Sequence, residues 1–141
     1  MDIRLKKERG VEWIYDSFRK MWLRATPEER VRQYFCHLLT ERLGYPAVAV
    51  ANEVEVPVNG QPQRCDTLVY CAGKPVMVVE YKRPEVTIDQ RVVEQVARYN
   101  LVLQVPLMVV SNGLQTYCMR TGEDGVSFLP QLPTWEEIRA L

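Results

Sequence analysis

Histidine, paired cysteines, long apolar runs and net charge are all scarce or missing in this chain of 141 residues. There is a single His, His37, and there are four Cys, at positions 36, 65, 71 and 118, with no Cys-x-x-Cys pair among them. That excludes a recognisable zinc site, and the scattered thiols read as reduced side chains packed in a core. No stretch approaches the roughly 18 consecutive apolar residues of a membrane span. The start, Met1-Asp2-Ile3-Arg4-Leu5-Lys6-Lys7, lacks the apolar centre of a secretory signal. A cytoplasmic protein with no membrane partner is expected. Eighteen Lys/Arg balance eighteen Asp/Glu, which argues against a purely electrostatic nucleic-acid binder. The balance is uneven, with nine basic against six acidic residues in 1–33, so that segment can supply phosphate contacts or simply form a solvated face. Repeats, low-complexity segments and interdomain linkers are absent. The chain therefore reads as one domain over 1–141, with a docking segment at 1–26, a core at 27–120, and a loop and short helix at 121–141.

What is present begins with segment 1–26, where Val11–Tyr15 suits a short strand and Phe18, Met21, Trp22 and Leu23 suit anchors on the core. A helix follows. Thr26 fits an N-cap, Pro27 the first turn, and Glu29 a capping box. Val31, Tyr34, Phe35, Leu38 and Leu39 make its apolar stripe, and Gly44 ends it. The period sets Glu28 near the sheet-facing stripe and Glu29 on the far side. Residues 47–58 alternate as a strand with Val48, Val50, Val54, Val56 and Val58 on one face, and Asn59-Gly60 signals a hairpin. The returning strand carries Arg64 and Asp66 and runs through Thr67–Cys71. After a turn around Ala72–Pro75, Val76–Val79 leads into Glu80-Tyr81-Lys82. A second helix over 88–103 has Ile88, Val92, Val96 and Leu103 as its stripe. Gln95 and Tyr99 sit one turn apart inside it. Residues 107–110 and 114–119 form two more strands about Asn112-Gly113, 121–133 reads as a Gly- and Pro-rich loop, and Thr134 caps a terminal helix. The helix between the third strand and residues 107–112 allows a parallel crossover. The expected architecture is α/β, a mixed central sheet of about four to five strands flanked by helices.

The polar residues on this frame suggest chemistry. Side chains alternate along a strand, so Glu80 and Lys82 share a face and Tyr81 takes the other. A carboxylate and an ammonium at the end of a buried strand are costly unless paired or used, and Asp66 on the neighbouring strand can converge on them. Two carboxylates, with the Tyr81 carbonyl as a third oxygen, suit Mg²⁺, which keeps several waters. Such an ion, beside Lys82 to orient or deprotonate water, is equipped for phosphodiester hydrolysis. Glu28 can reach the ion through water, Gln95 can hold a ligand or a phosphate, and Tyr99 can position Lys82 or the DNA backbone. The alternative for the last two is a Gln bonded to nearby backbone and a Tyr used for packing.

Asp66, thirteen residues, Glu80-x-Lys82, thirteen from Lys82 to Gln95, then Gln95-x-x-x-Tyr99 resembles the PD-(D/E)XK nuclease superfamily, in its Gln-x-x-x-Tyr subgroup. The usual Pro before the Asp is replaced by Arg64-Cys65. A closer resemblance, over about 11–133, is to the N-terminal nuclease domain of the type I restriction enzyme R protein. It rests on Pro27–Gln33, Gly44-Tyr45-Pro46, Arg64-Cys65-Asp66, Val79–Pro84, Gln95–Asn100 and Ser111-Asn112-Gly113. The resemblance implies a restriction-endonuclease-like core, a DNA substrate and Mg²⁺ dependence, with Mn²⁺ able to substitute. It implies catalytic roles for Glu28, Asp66, Glu80, Lys82, Gln95 and Tyr99, metal binding by Asp66, Glu80 and the Tyr81 carbonyl, and DNA contacts from Arg64, Arg83 and Arg98. No Gly-x-x-x-x-Gly-Lys-Ser/Thr loop occurs, so no ATP site is expected. The chain looks like a stand-alone version whose motor or restriction subunits would be encoded separately, and which would cut both strands as a homodimer or by two nicks. The competing expectation is a DNA- or protein-binding module that keeps the fold without catalysis.

Overall fold

A computed structural model of the chain describes residues 3–141. Segment 3–26 is not a single strand with anchors. It is a three-stranded antiparallel sheet, β1 (Leu5–Glu8), β2 (Val11–Asp16) and β3 (Met21–Arg24), in the order β1-β2-β3. Of the expected anchors, Phe18 packs on the core, whereas Met21 is exposed. Ile14 is fully buried, and so is Asp16, whose Oδ1 accepts from the N–H groups of Phe18 and Arg19 and shapes the turn into β3.

Helix α1 (Pro27–Glu41) starts at Thr26, whose hydroxyl accepts from Glu29 N–H. Its inward stripe is Val31, Phe35, Cys36 and Leu39, while Tyr34, expected inside, is half exposed. Gly44, at φ +80°, reverses the chain. Ala47–Ala49 is then a single 3-10 turn rather than strand, which leaves Val48 96% exposed.

The main sheet has six strands in the order β4-β5-β6-β7-β8-β9: β4 (Val50–Val58), β5 (Gln61–Cys71), β6 (Lys74–Tyr81), β7 (Leu107–Ser111), β8 (Thr116–Gly122) and β9 (Gly125–Leu129). β9 lies in what the sequence suggested was loop. Its residues are largely exposed, and Val126-Ser127-Phe128 is too short an alternation, between Gly125 and Pro130, to announce a strand. Two-residue turns at Asn59-Gly60 and Ala72-Gly73, all at positive φ, close the β4–β5 and β5–β6 hairpins. Helix α2 (Gln90–Leu103), capped by Asp89, crosses from β6 to β7 and makes that pair the sheet's one parallel pairing among the described residues. Helix α3 (Trp135–Arg139) carries a full capping box between Thr134 and Glu137.

Two apolar clusters cover the two faces of the sheet. One joins α1 to Val50, Val69, Met77, Val79 and Tyr81; the other joins α2 to Val56, Cys65, Leu68, Val78 and Val110. β4 therefore does not keep all its valines on one face. Val50 packs under α1, but Val54, Val56 and Val58 pack under α2. Glu53, at φ +54°, interrupts the alternation between them. The partner strand is irregular at the same level, because Cys65 and Leu68, three apart, lie on one face. All four Cys are free, three of them buried.

Leu39 is fully buried in the α1 cluster and Val48 stands in solvent. Leu39→Ala is expected to cost about 2–5 kcal/mol, and Val48→Ala less than about 0.5 kcal/mol, by chemical denaturation. A large loss for Val48→Ala would show that it packs as a strand residue after all.

Candidate active site

The last pair in the β5–β6 ladder is Thr67 with Val79. One position beyond it, Asp66 and Glu80 stand side by side where β5 and β6 part, β5 continuing beside β4 and β6 beside β7. Tyr81 N–H donates to Asp66 Oδ2 at 2.9 Å, which fixes that carboxylate across the strand gap. Strand alternation then sorts Glu80 and Tyr81 as the sequence suggested. Tyr81 turns under α1, donating its hydroxyl to Thr67 Oγ1 at 2.9 Å and meeting Phe35 edge-on. Glu80 turns the other way, beside β7, where it is buried. Lys82 is anchored by its N–H to the Ser111 carbonyl at 2.9 Å, and its charge is felt by Glu80.

Two carboxylates in one poorly hydrated space are electrostatically expensive. Burial, and then the charge of Asp66, push Glu80 from the ordinary 4.5 up to about 8, against the opposing pull of Lys82. Asp66 is raised too, chiefly by burial, with the Tyr81 N–H and the Arg32 guanidinium working against the rise. Glu28 raises both groups, so it lies within electrostatic reach although its side chain is exposed. Glu80 Oε2 is buried with no hydrogen-bond partner.

Besides Lys82, countercharge comes from residues that the sequence did not single out. Arg32 is buried on α1 with its Nη2 3.8 Å from Asp66 Oδ1, and its guanidinium lies 5.8 Å from the Tyr81 ring centroid. Arg19, in the β2–β3 turn, binds Asp16, both oxygens of Glu29 at 3.1 Å, and Glu53 at 3.0 Å. Glu29 is thus not on the far side of α1. Its carboxylate points into this network and also accepts from Gln33 at 3.0 Å. Arg32 had a readable signal, an arginine next to Val31 and three residues before Phe35, hence at the edge of the apolar stripe. Arg19 had none, since its partners are scattered along the chain.

The other expected residues sit around this centre rather than in it. Tyr99 does not touch Lys82. Its hydroxyl donates to the Arg64 carbonyl at 2.8 Å, two residues from Asp66, and burial followed by the charge of Glu80 raises it to about 12. Gln95 is half-buried and lines a cavity with Tyr99 and Arg98, facing the β4–β5 hairpin. The Arg64 side chain is exposed near Glu53, and Arg83 pairs with Glu85 at 2.9 Å.

Among the described residues no three His, Cys, Asp or Glu side chains gather tightly enough to enclose a metal ion. The site offers two carboxylates, one with an orphaned buried oxygen, and this fits a hard cation that completes its shell with water and backbone oxygen. It does not fit a soft metal held by nitrogen or sulfur.

Fold and site together define an α/β protein whose mixed sheet carries an Asp–Glu pair, with a lysine close by, where its central strands β5 and β6 part. The chain belongs to the family described as Type I restriction enzyme R protein N terminus (HSDR_N), whose model matches residues 27–133. No curated protein and no solved structure matches it. Among the described residues no helix is long and apolar enough to cross a membrane.

Between pH 4.5 and 8 an unfolded chain releases the Glu80 proton while the folded one keeps it. The folded state then binds more protons, so its stability falls as pH rises through that window. In chelator, thermal melts of the wild type are expected to show this fall and those of Glu80→Gln to lack most of it. A parallel fall in both proteins would exclude Glu80 as the source.

Proposed function

We propose that the chain is a divalent-metal-dependent DNA nuclease with a restriction-endonuclease-like, PD-(D/E)XK core. The observation that carries the reading is the Asp66–Glu80 pair with the unpartnered Glu80 Oε2, found in a chain of the restriction R-protein family. Asp66, Glu80 and the Tyr81 carbonyl would hold Mg²⁺ or Mn²⁺, which when bound supplies charge neutralisation at the phosphate and a more acidic water. Lys82, on the Glu80 side, orients the attacking water or takes its proton, and offsets charge on the phosphate. Glu28 reaches the site through water. Tyr99 holds β5 by the Arg64 carbonyl and so keeps Asp66 in register. Gln95, with Arg64, Arg83 and Arg98, contacts the DNA. Cutting both strands takes two such sites, from a second copy or from successive nicks, and other restriction subunits would bring the DNA.

With supercoiled plasmid and Mg²⁺ or Mn²⁺, the wild type is expected to nick or linearise DNA. Asp66→Ala and Lys82→Ala should lose at least about a hundredfold in rate, the scale of one positioned acid–base group. Equal background cleavage by all three proteins would defeat the enzyme reading and favour a binding module.

A further inference from the structure

Beyond the last β5–β6 pair, β4 and β5 continue alone as a two-stranded ribbon that ends at Asn59-Gly60. The ribbon leans on α2. Val54, Val56 and Val58 pack in the α2 cluster, and Tyr99 bonds the Arg64 carbonyl. Between the two elements lies a cavity of 340 Å³ whose polar lining is Asn59, Gln61, Gln63, Gln95, Arg98 and Tyr99. None of its lining residues is acidic. Tyr99 is committed to backbone, but among the described residues the side chains of Asn59, Gln61, Gln63, Gln95 and Arg98 make no hydrogen bond or ion pair. Four carboxamides and a guanidinium are thus left without a protein partner in one groove, which begins at Gln63, three residues along β5 from Asp66. All but Gln95 are exposed, so in the free protein these donors face water and are free to turn to a ligand laid in the groove.

We propose that this groove holds the sugar–phosphate backbone of the DNA strand flanking the cleaved phosphate, mainly through neutral amide hydrogen bonds from Gln61 and Gln63. The inference rests on the nuclease reading for the position of the scissile phosphate, and it adds two residues that reading does not use, Gln61 and Gln63 of the ribbon. Protein–DNA hydrogen bonds go mostly to phosphate and sugar, and amide side chains serve as donors there. Binding of this type needs no excess of positive charge, which suits a chain of zero formal net charge. Because the amides release no counterions, their share of the affinity is nearly independent of salt, whereas Arg98 contributes about one ion to the salt slope.

The test is fluorescence anisotropy of a labelled duplex with the full chain in Ca²⁺, across a salt series. Gln61 and Gln63 are exposed, so their replacement should leave the thermal melt unchanged. Gln61→Ala/Gln63→Ala is expected to weaken binding roughly five- to a hundred-and-fiftyfold, as for two lost hydrogen bonds, with the salt slope of the wild type. Arg98→Ala should lower the slope by about one. Wild-type affinity in the double variant, or no duplex binding by the wild type, overturns the proposal. Binding lost in the double variant beside a wild type that never cleaves in Mg²⁺ would sink the nuclease reading and leave the groove standing.

Discussion

Everything at the candidate site depends on the β5–β6 pairing ending where it does. The ladder stops at Thr67 and Val79, and the 2.9 Å bond from Tyr81 N–H to Asp66 carries the alignment one step further. That single step forces two acids to share one space. A register slip of one residue would send Glu80 under α1 and Tyr81 into its place. The apolar clusters prevent this slip, because Met77 and Val79 are already buried with α1 and Val78 with α2. The core therefore selects the geometry, and the polar site inherits it.

The cost of that geometry is shared with a second layer of charge. Asp66 and Glu80 sit in surroundings that raise both, while Arg32 faces Asp66 from α1. Arg32 is in turn bracketed by Glu29 and Glu53, each at 3.6 Å, and Arg19 grips the same two acids. Alternating signs thus run from the small N-terminal sheet, through the first turns of α1 and the irregular point of β4, to the carboxylate pair. Glu53 is partly open to solvent, but Arg32 is buried and Glu29 nearly so, and breaking either leaves a shielded neighbour uncompensated.

Much of this was legible in the sequence where side-chain type and period agree. Thr26-Pro27 marked the start of α1, Asn59-Gly60 the first hairpin, and the length of 88–103 the crossover that makes β6 and β7 parallel. The facing of Glu80 against Tyr81 followed from strand alternation alone. What stayed hidden has physical reasons. β9 exposes Val126 and Phe128 and has no buried alternation to betray it. Val48 and the β4 valines were misplaced because a 3-10 turn and a left-handed Glu53 are invisible to a count of alternate residues. Glu29 looked like a mere cap because its partner Arg19 lies ten positions back across a turn. The Tyr99 bond to Arg64 spans 35 positions, and no local pattern encodes it.

The N-terminal sheet has a practical consequence for how this chain is divided. The family match begins at residue 27, after the β2–β3 turn that carries Arg19. A fragment trimmed to the matched span would retain Glu29 and Glu53 but shed the guanidinium that clamps both. The boundary drawn by shared ancestry and the boundary drawn by electrostatic closure are therefore offset by at least eight residues. The stretch before the match thus braces the end of the sheet that carries the Asp66–Glu80 pair.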